Sequence, residues 1–450
     1  MLTLILVSWL PNKVLKMAVG LNKRELNNFQ NQIDFFGNHA GLALPSHNSR
    51  IIIDYPGKLP ESEILWNETD SVYHHLKNST NITTNIFANS FIWSDNFSTL
   101  HTLLQQNTKV QLFYLDPPYA TGMDFQSRDL QHAYDDSMSD TVYLEFMRRR
   151  LILMRELLEE TGSIYVHIGH QMVAELKIIM DEIFGKNNFR NLITRRKCSS
   201  KNFTKNQYAN LNDYILFYTK SNNFTWNQPS QKALPEWIAK EYTKVDDRGP
   251  YKLVPVHAPG TRRGETGGLW RGKLPPAGKH WQYTPTKLEA MDANGEMYWS
   301  KNGNPRRKVY LPDDKKIPLT DYWNDYKDAH HQSILITGYP TEKNFDMLKM
   351  IVGASSNEGD LVVDPFCGSG TTIHAADELN RKWIGIDRSF LSAKTVLSRM
   401  TLGRKPMGDF VNQANSNTTH EQIESEFDFL VADEIFQKYQ PDIDELKKLI

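Results

Sequence analysis

Cysteine is nearly absent from this 450-residue chain: only Cys198 and Cys367 occur. Two such distant residues build neither a disulfide framework nor a thiolate zinc site. The pairs His74-His75 and His330-His331 lack metal-ligand spacing and read as solvated loop residues, so no metal is expected. Long hydrophobic runs are missing as well. The apolar stretch 1–10 is too short to span a bilayer, and it lacks a basic n-region and a small-residue cleavage site. It reads as a cytoplasmic start, either a strand or an upstream extension of the reading frame. No membrane partner is expected. Asn-x-Ser/Thr triplets such as 78–80 carry no meaning without a signal peptide. Internal repeats and long low-complexity tracts are also lacking.

An excess of either charge is missing in total, since the net is −1. That argues against a nucleic-acid partner until the distribution is considered. Residues 190–310 hold 22 Lys/Arg against 9 Asp/Glu, a net of +13, so the remainder carries −14. Local field, not the sum, is what a phosphate backbone meets.

What the chain does have is an alternation of strand and helix patterns. Residues 90–93 read as a short strand and 110–115 as a β-rich apolar run, halted by Asp116-Pro117-Pro118. Leu144, Met147, Leu151, Met154, Leu157 and Leu158 share one face of a helix over 141–160, which Gly162 should stop. A buried strand at 163–168 and an amphipathic helix at 172–184, ended by Gly185, follow. Beyond 190 prolines, glycines, tryptophans and basic residues dominate until about 328. The strand-and-helix alternation then resumes: a helix at 344–354, a strand at 361–364, a helix at 371–379 and a strand at 383–387. This predicts an α/β, doubly wound, Rossmann-like parallel sheet interrupted by a basic insert. The expected organisation is an N-terminal extension (1–89), a first catalytic part (90–189), the insert (190–330), a cofactor part (331–405) and a helical tail (406–450). An acidic amphipathic helix is expected at 421–439.

The run Leu361-Val362-Val363-Asp364-Pro365-Phe366-Cys367-Gly368-Ser369-Gly370-Thr371 leads a strand through a Gly-x-Gly turn into a helix. Gly368 and Gly370 allow a tight curve and close approach of a ligand. Asp387 ends the next strand, where an acid can take ribose hydroxyls. A nicotinamide fingerprint is disfavoured, because His374 stands near the place of its third glycine. A carboxylate at Asp364 and free backbone N–H groups suit the two ends of a methionine moiety.

Asp116-Pro117-Pro118-Tyr119 follows a buried strand, at the edge where doubly wound sheets bind ligands. A nucleobase amino group is a poor nucleophile, its lone pair being delocalised into the ring. Two acceptors on its hydrogens favour the pyramidal geometry for attack. Asp116 can supply one and the Pro117 carbonyl the other, stiffened by proline. Tyr119 offers a ring on which an extruded base can stack.

With these two elements together, the sequence resembles the β group of DNA amino-methyltransferases, in which Asp-Pro-Pro-Tyr precedes the cofactor loop and a target-recognition region lies between. The similarity runs over about 90–400. It takes in Asp-Pro-Pro-Tyr-Ala-Thr-Gly at 116–122 and Gly338-Tyr339-Pro340-Thr341-Glu342-Lys343-Asn344 before the glycine loop. It is especially similar to modification subunits of type III restriction-modification systems. The resemblance implies S-adenosylmethionine as methyl donor and a methionine pocket with Tyr339, Thr341, Lys343 and Asn344. It also implies an acid, Asp95, near the cofactor adenine. Cys367 occupies a variable place and is not a nucleophile: ring-carbon methylation of cytosine uses a Pro-Cys pair, and none occurs. Asp before Pro117 favours adenine over cytosine. Double-stranded DNA is the expected partner, with a restriction subunit and a homodimer as further partners, in a cytoplasmic, nucleoid-associated setting.

Six of the ten tryptophans (226, 237, 270, 281, 299 and 323) lie in the insert, interleaved with cations. Arg195, Arg196, Lys197, Arg262, Arg263, Arg271, Arg306, Arg307 and Lys308 are the candidate DNA contacts. The bland alternative is small-domain core and solvated charge, expected for the majority of these residues. Gly272–Lys279 echoes a phosphate loop but has one residue too many and ends in His280; Pro312-Asp313 lacks a following Glu-x-Lys. Neither a motor nor a cleavage centre is inferred. Rival readings are a cytosine-N4 enzyme, an RNA amino-methyltransferase and a catalytically silent DNA-binding specificity subunit.

Overall fold

The computed structural model describes residues 51–66, 71–77, 89–119, 124–126, 132–135, 139–198, 206–328, 335–336, 339, 342–402, 405–406 and 426–450. The chain divides into two compact units, Met1–Ile52 and Ile53–Ile450. The stretch 1–10 lies outside the described residues, and all that follows concerns the second unit.

Apolar, β-branched and aromatic runs become strands where both faces are covered. We label them β1 (Tyr73–Lys77), β2 (Ser90–Trp93), β3 (Val110–Leu115), β4 (Leu158–Ile168), β5 (Phe189–Arg196), β6 (Asn212–Thr219), β7 (Lys244–Asp246), β8 (Gly249–Pro255), β9 (Met297–Trp299), β10 (Pro305–Tyr310), β11 (Tyr322–Trp323), β12 (Leu361–Asp364), β13 (Lys382–Asp387) and β14 (Asp428–Ala432). The main sheet has the order β1-β14-β2-β13-β12-β3-β4-β6-β5-β11. Six neighbours, β14 through β4, run parallel; β6 pairs antiparallel to β4 and β1 antiparallel to β14. The expected doubly wound core is there, in a mixed rather than purely parallel sheet.

Helices cover both faces. On one side lie α1 (Asn96–Gln105), α2 (Asp140–Leu157) and α3 (Val173–Phe184); on the other α4 (Phe345–Ser355), α5 (Thr371–Glu378), α6 (Phe390–Leu402), α7 (Asp433–Lys438) and α8 (Gln440–Lys447). Strand residues alternate between the two layers. Phe113, Leu115, Ile164 and Val363 face the first; Leu112, Tyr114, Tyr165 and Val362 face the second.

Three expectations change. Gly162 does not stop a helix, since α2 ends at Leu157 and β4 starts at once. A Cβ at Gly162 would stand 2.8 Å from Leu158 and 3.1 Å from the Val110 carbonyl, so glycine lets β4 lie against β3. The helix expected at 421–439 is, over its described part, strand β14 followed by the short α7. Phe429, Leu430 and Val431 are fully buried between the layers, and the sheet overrides the helical pattern. The basic segment is not wholly an insert either. Its opening, β5 and β6, and its closing β11 extend the main sheet, while β7-β8-β10-β9 form a separate small sheet. Trp270, Trp281 and Trp299 pack with Val256, Leu288, Met291 and Met297 in a core of this segment's own.

Candidate active site

Four adjacent parallel strands end in, or just before, an acid on the same edge of the sheet. Asp95 follows β2, Asp387 closes β13, Asp364 closes β12 and Asp116 follows β3. All four line one cavity of about 710 Å³, with Trp93, Pro118, Tyr339, Lys343, Pro365, Phe366, Gly368, Thr371 and Phe390 among its walls. That volume suits a cofactor-sized ligand.

The glycine loop is tightly held. Gly368 has φ +51°, and a Cβ there would come within 3.3 Å of the Tyr339 ring. Gly370, at φ +77°, is the N-cap of α5; a Cβ would sit 3.0 Å from Val396. The Gly368 N–H donates to Asp387 Oδ2 at 2.8 Å and Ser389 N–H to Asp387 Oδ1 at 2.8 Å. Buried Arg399 of α6 donates to the Ser369 carbonyl and the Thr371 hydroxyl and pairs with Glu342 at 3.2 Å. His374, next to the place of a nicotinamide loop's third glycine, is buried and bonded to Arg399 at 3.1 Å. Cys367 is buried, and burial pushes its thiol well above the usual range, so it stays protonated and inert.

Burial raises both loop carboxyls, Asp364 to about 7 and Asp387 in the same direction. The bonds to Asp364 come from the Phe366 N–H at 3.0 Å and the Thr372 hydroxyl, neither a cation. A buried carboxylate awaiting a positive partner fits the ammonium of a methionine moiety. The glycine loop and Asp387 fit its nucleoside end.

On the catalytic turn, Tyr119 donates its hydroxyl to Asp116 Oδ1 at 2.8 Å, and Lys343 Nζ donates to Oδ2. Asp116 and Pro118 line the cavity; the Tyr119 ring lies against Gly169, where a Cβ would approach to 3.1 Å. Burial and Asp116 raise the Tyr119 phenol well above its ordinary range. Lys343, expected at the methionine moiety, lines the cofactor cavity and also reaches the catalytic turn through Asp116.

Other placements differ from expectation. Asn344 is not in the cavity wall: it caps α4, accepting from the Met347 N–H at 3.0 Å. Thr341 lies outside the described residues, as do Ala120, Thr121, Gly122, Gly338 and Pro340. Asp95 lines the cavity but also caps α1 through the Phe97 N–H and pairs with Arg150 at 3.3 Å. The sequence reading missed Arg150 and Asn96. Asn96 donates to the Pro365 carbonyl at 2.7 Å, tying two strand ends together, and Arg150 lies over the Phe146 ring at 3.6 Å. Nothing local marked them, because their partners are distant in sequence.

The basic residues divide sharply. Arg195 is fully buried, bonded to Asp213 at 2.9 Å, Asp328 at 2.6 Å and the Tyr326 carbonyl at 2.7 Å. It is a core ion pair and not a phosphate contact. Arg271 is held by Glu289 and Asp292, and Lys308 by Asp246 at 2.8 Å. Arg262, Arg263 and Arg306 are exposed, whereas Arg196, Lys197 and Arg307 are half-buried.

A DNA methylase family pattern matches residues 110–390, from β3 to the start of α6. The chain belongs to that family. It is 57% identical over 426 residues to the type II methyltransferase M.EcaI of Enterobacter cloacae, covering 92% of this chain and 94% of that protein. Similarity to the StyLTI Mod subunit, a type III restriction-modification enzyme of Salmonella typhimurium, is 30% and covers 70% and 54% respectively. Likeness to the expected type III subunits is therefore present but lower than to a type II enzyme. Among solved structures, the M1.HpyAVI–SAM complex aligns at TM-score 0.38 and 16% identity, over 69% of this chain and 98% of that one. The chain is a DNA methyltransferase of the amino-group family, and S-adenosylmethionine is its cofactor. No helix among the described residues is long and apolar enough to cross a membrane.

Proposed function

We propose that this chain methylates the exocyclic amino group of an adenine turned out of duplex DNA, at a specific site, within a restriction-modification system. Asp116 on the cavity wall, with Tyr119 beside it, carries the reading. The amino group is engaged through its hydrogens by the Asp116 carboxylate and the Pro117 carbonyl, which restores lone-pair character to nitrogen. The Tyr119 ring supports the base. Bound S-adenosylmethionine supplies an electrophilic methyl group. Asp364 holds the positive end of its methionine moiety, Asp387 its ribose, and the cavity walls exclude water. Asp116 accepts from Tyr119 on one oxygen and from Lys343 on the other, which leaves a lone pair on each for the arriving amino group.

The exposed Arg262, Arg263 and Arg306 take DNA phosphates. Cytosine N4 is the second reading, because a cytosine amino group offers the same two hydrogens; Asp before Pro117 favours adenine. A restriction subunit and a second copy of this chain are the proposed protein partners, in the cytoplasm.

The test is nucleoside digestion of duplex DNA after incubation with protein and cofactor. N6-methyladenine is expected. Methyl on the cytosine amino group would move the target, and methyl on a ring carbon would overturn the mechanism. Asp116→Ala should slow transfer on the order of 100-fold or more, with cofactor and DNA affinities little changed; a fully active variant would refute the role of the carboxylate.

A further inference from the structure

Directly beneath the catalytic turn lies a fully buried histidine that the chemistry above leaves unused. His167 sits near the end of β4. Its Nδ1 is 2.8 Å from the Tyr114 hydroxyl and 4.0 Å from Asp116 Oδ1; its Nε2 is 3.1 Å from Asp213 Oδ2. The ring lies 6.1 Å from that of Tyr119. Asp213 is clamped in turn by Arg195, and Arg195 by Asp328. Nε2 stands beside the Asp213 carboxylate without a well-aligned hydrogen bond to it; a proton on that nitrogen leaves Nδ1 as the acceptor for the Tyr114 hydroxyl.

Methyl transfer releases a proton. As the N–C bond forms and the S–C bond breaks, the sulfonium recovers its electron pair and becomes a thioether. The base nitrogen becomes cationic with one hydrogen too many. Asp116 is the acceptor in contact with it. An ammonium on its other oxygen, Lys343, opposes a proton resting there. The charge count of the surrounding cluster points to a better resting place. Asp116, Asp213 and Asp328 face two cations, Arg195 and Lys343, so the cluster carries one net negative charge and has room for one proton. Asp364, on the adjoining β12, adds negative potential when ionised. Within this set only the His167 imidazole offers a nitrogen that can take up a proton.

We propose that His167 is the proton acceptor behind Asp116: as the Tyr114 hydroxyl turns from donating to Nδ1 to accepting from it, Nδ1 takes the proton that the methylated amino group gives to Asp116 and holds it until turnover. The proposal rests on Asp116 being the amino-group acceptor. It assigns His167 a positioning role for a proton, acting through Asp116 and never touching the base. The groups facing it are Tyr114 of β3, Asp116 and Tyr119 of the turn, and Asp213 of β6, with Arg195 of β5 behind.

The experiment uses the full chain with His167→Gln and, as a milder variant, Tyr114→Phe. Single-turnover methyl transfer to duplex DNA is followed against pH, alongside dissociation constants for cofactor and DNA. His167→Gln should lower the transfer rate about tenfold or more near neutrality, with both dissociation constants unchanged, and the rate should recover as rising pH lets solvent take the proton. In Tyr114→Phe the hydroxyl no longer favours the neutral imidazole, so protonation becomes easier and the acid limb moves to higher pH. Histidine-labelled NMR of the protein alone supplies a readout independent of activity. The signal lost in His167→Gln should respond to pH in the wild-type protein, and Tyr114→Phe should move that response to higher pH. A pH profile of unchanged shape in both variants, or a His167 signal that never titrates, overturns the proposal. Wild-type protein that transfers no methyl would overturn the parent reading instead.

Discussion

Asp364 shows how one residue's surroundings set its chemistry. Its carboxyl is 2% exposed and pushed up to about 7 by burial. Without cofactor the folded state keeps a proton that the unfolded chain releases near the ordinary carboxylate range. Stability from this group therefore falls as pH rises from about 4 to about 7. A bound ammonium wants the ionised form, so cofactor affinity should move the opposite way. Between about pH 6 and pH 8 the ionised fraction grows roughly tenfold, and calorimetric affinity for S-adenosylmethionine should rise by about that factor. Asp364→Asn should bind more weakly and flatten the slope, leaving the contribution of Asp387, which runs in the same direction. An affinity independent of pH in the wild type would remove the ammonium from Asp364. The glycine loop and the turn acid Asp116 were legible because each sits at a strand end beside proline or glycine, and Asp387 because it closes the next apolar strand. Lys343 was legible as a residue of the site but not in its role, because its partner Asp116 is 227 positions away.

At the scale of elements, β5 separates two kinds of arginine that sequence alone could not distinguish. Arg195 and Arg196 are consecutive, yet strand alternation sends one into the core and leaves the other half-buried. Arg195→Ala would leave Asp213 and Asp328 without their cation, a loss of about 3–5 kcal/mol for a broken buried pair. A large fall in thermal midpoint is expected, and unchanged melting would show that the pair contributes little. By contrast, replacing Arg262, Arg263 and Arg306 with alanine should leave melting almost unaltered. DNA affinity should fall and the salt dependence flatten by about one unit of slope per lost phosphate contact. An unaltered slope would move the DNA contact elsewhere. Strands β2, β3 and β12 matched their apolar runs because a continuous buried run has few other solutions. Helices α2 and α3 differed from the pattern only near their ends. Strands β5 and β6 were hidden by the basic, polar residues around them, and β14 by an acidic helical pattern.

For the whole molecule, the C-terminal segment is part of the sheet and not an appendage. β14 lies between β1 and β2, and Ile443 and Leu446 of α8 are buried against the same layer. Ending the chain before residue 426 would expose the edge of β2 and strip that layer. The truncated protein should be largely insoluble or melt far below the full chain; a soluble, active truncation would show that the parallel core stands without it. By itself the sequence determined the family, the strand-turn-helix elements that carry the chemistry and the order of catalytic turn, basic segment and cofactor loop. These are local: apolar periodicity, proline and glycine act within a few residues. Only the tertiary structure decided which acids share a cavity, which cations are neutralised, where Lys343 points and that His167 lies under Asp116. Those depend on strand order and register, which bring together residues tens to hundreds of positions apart, and burial rather than identity then fixes what each can do.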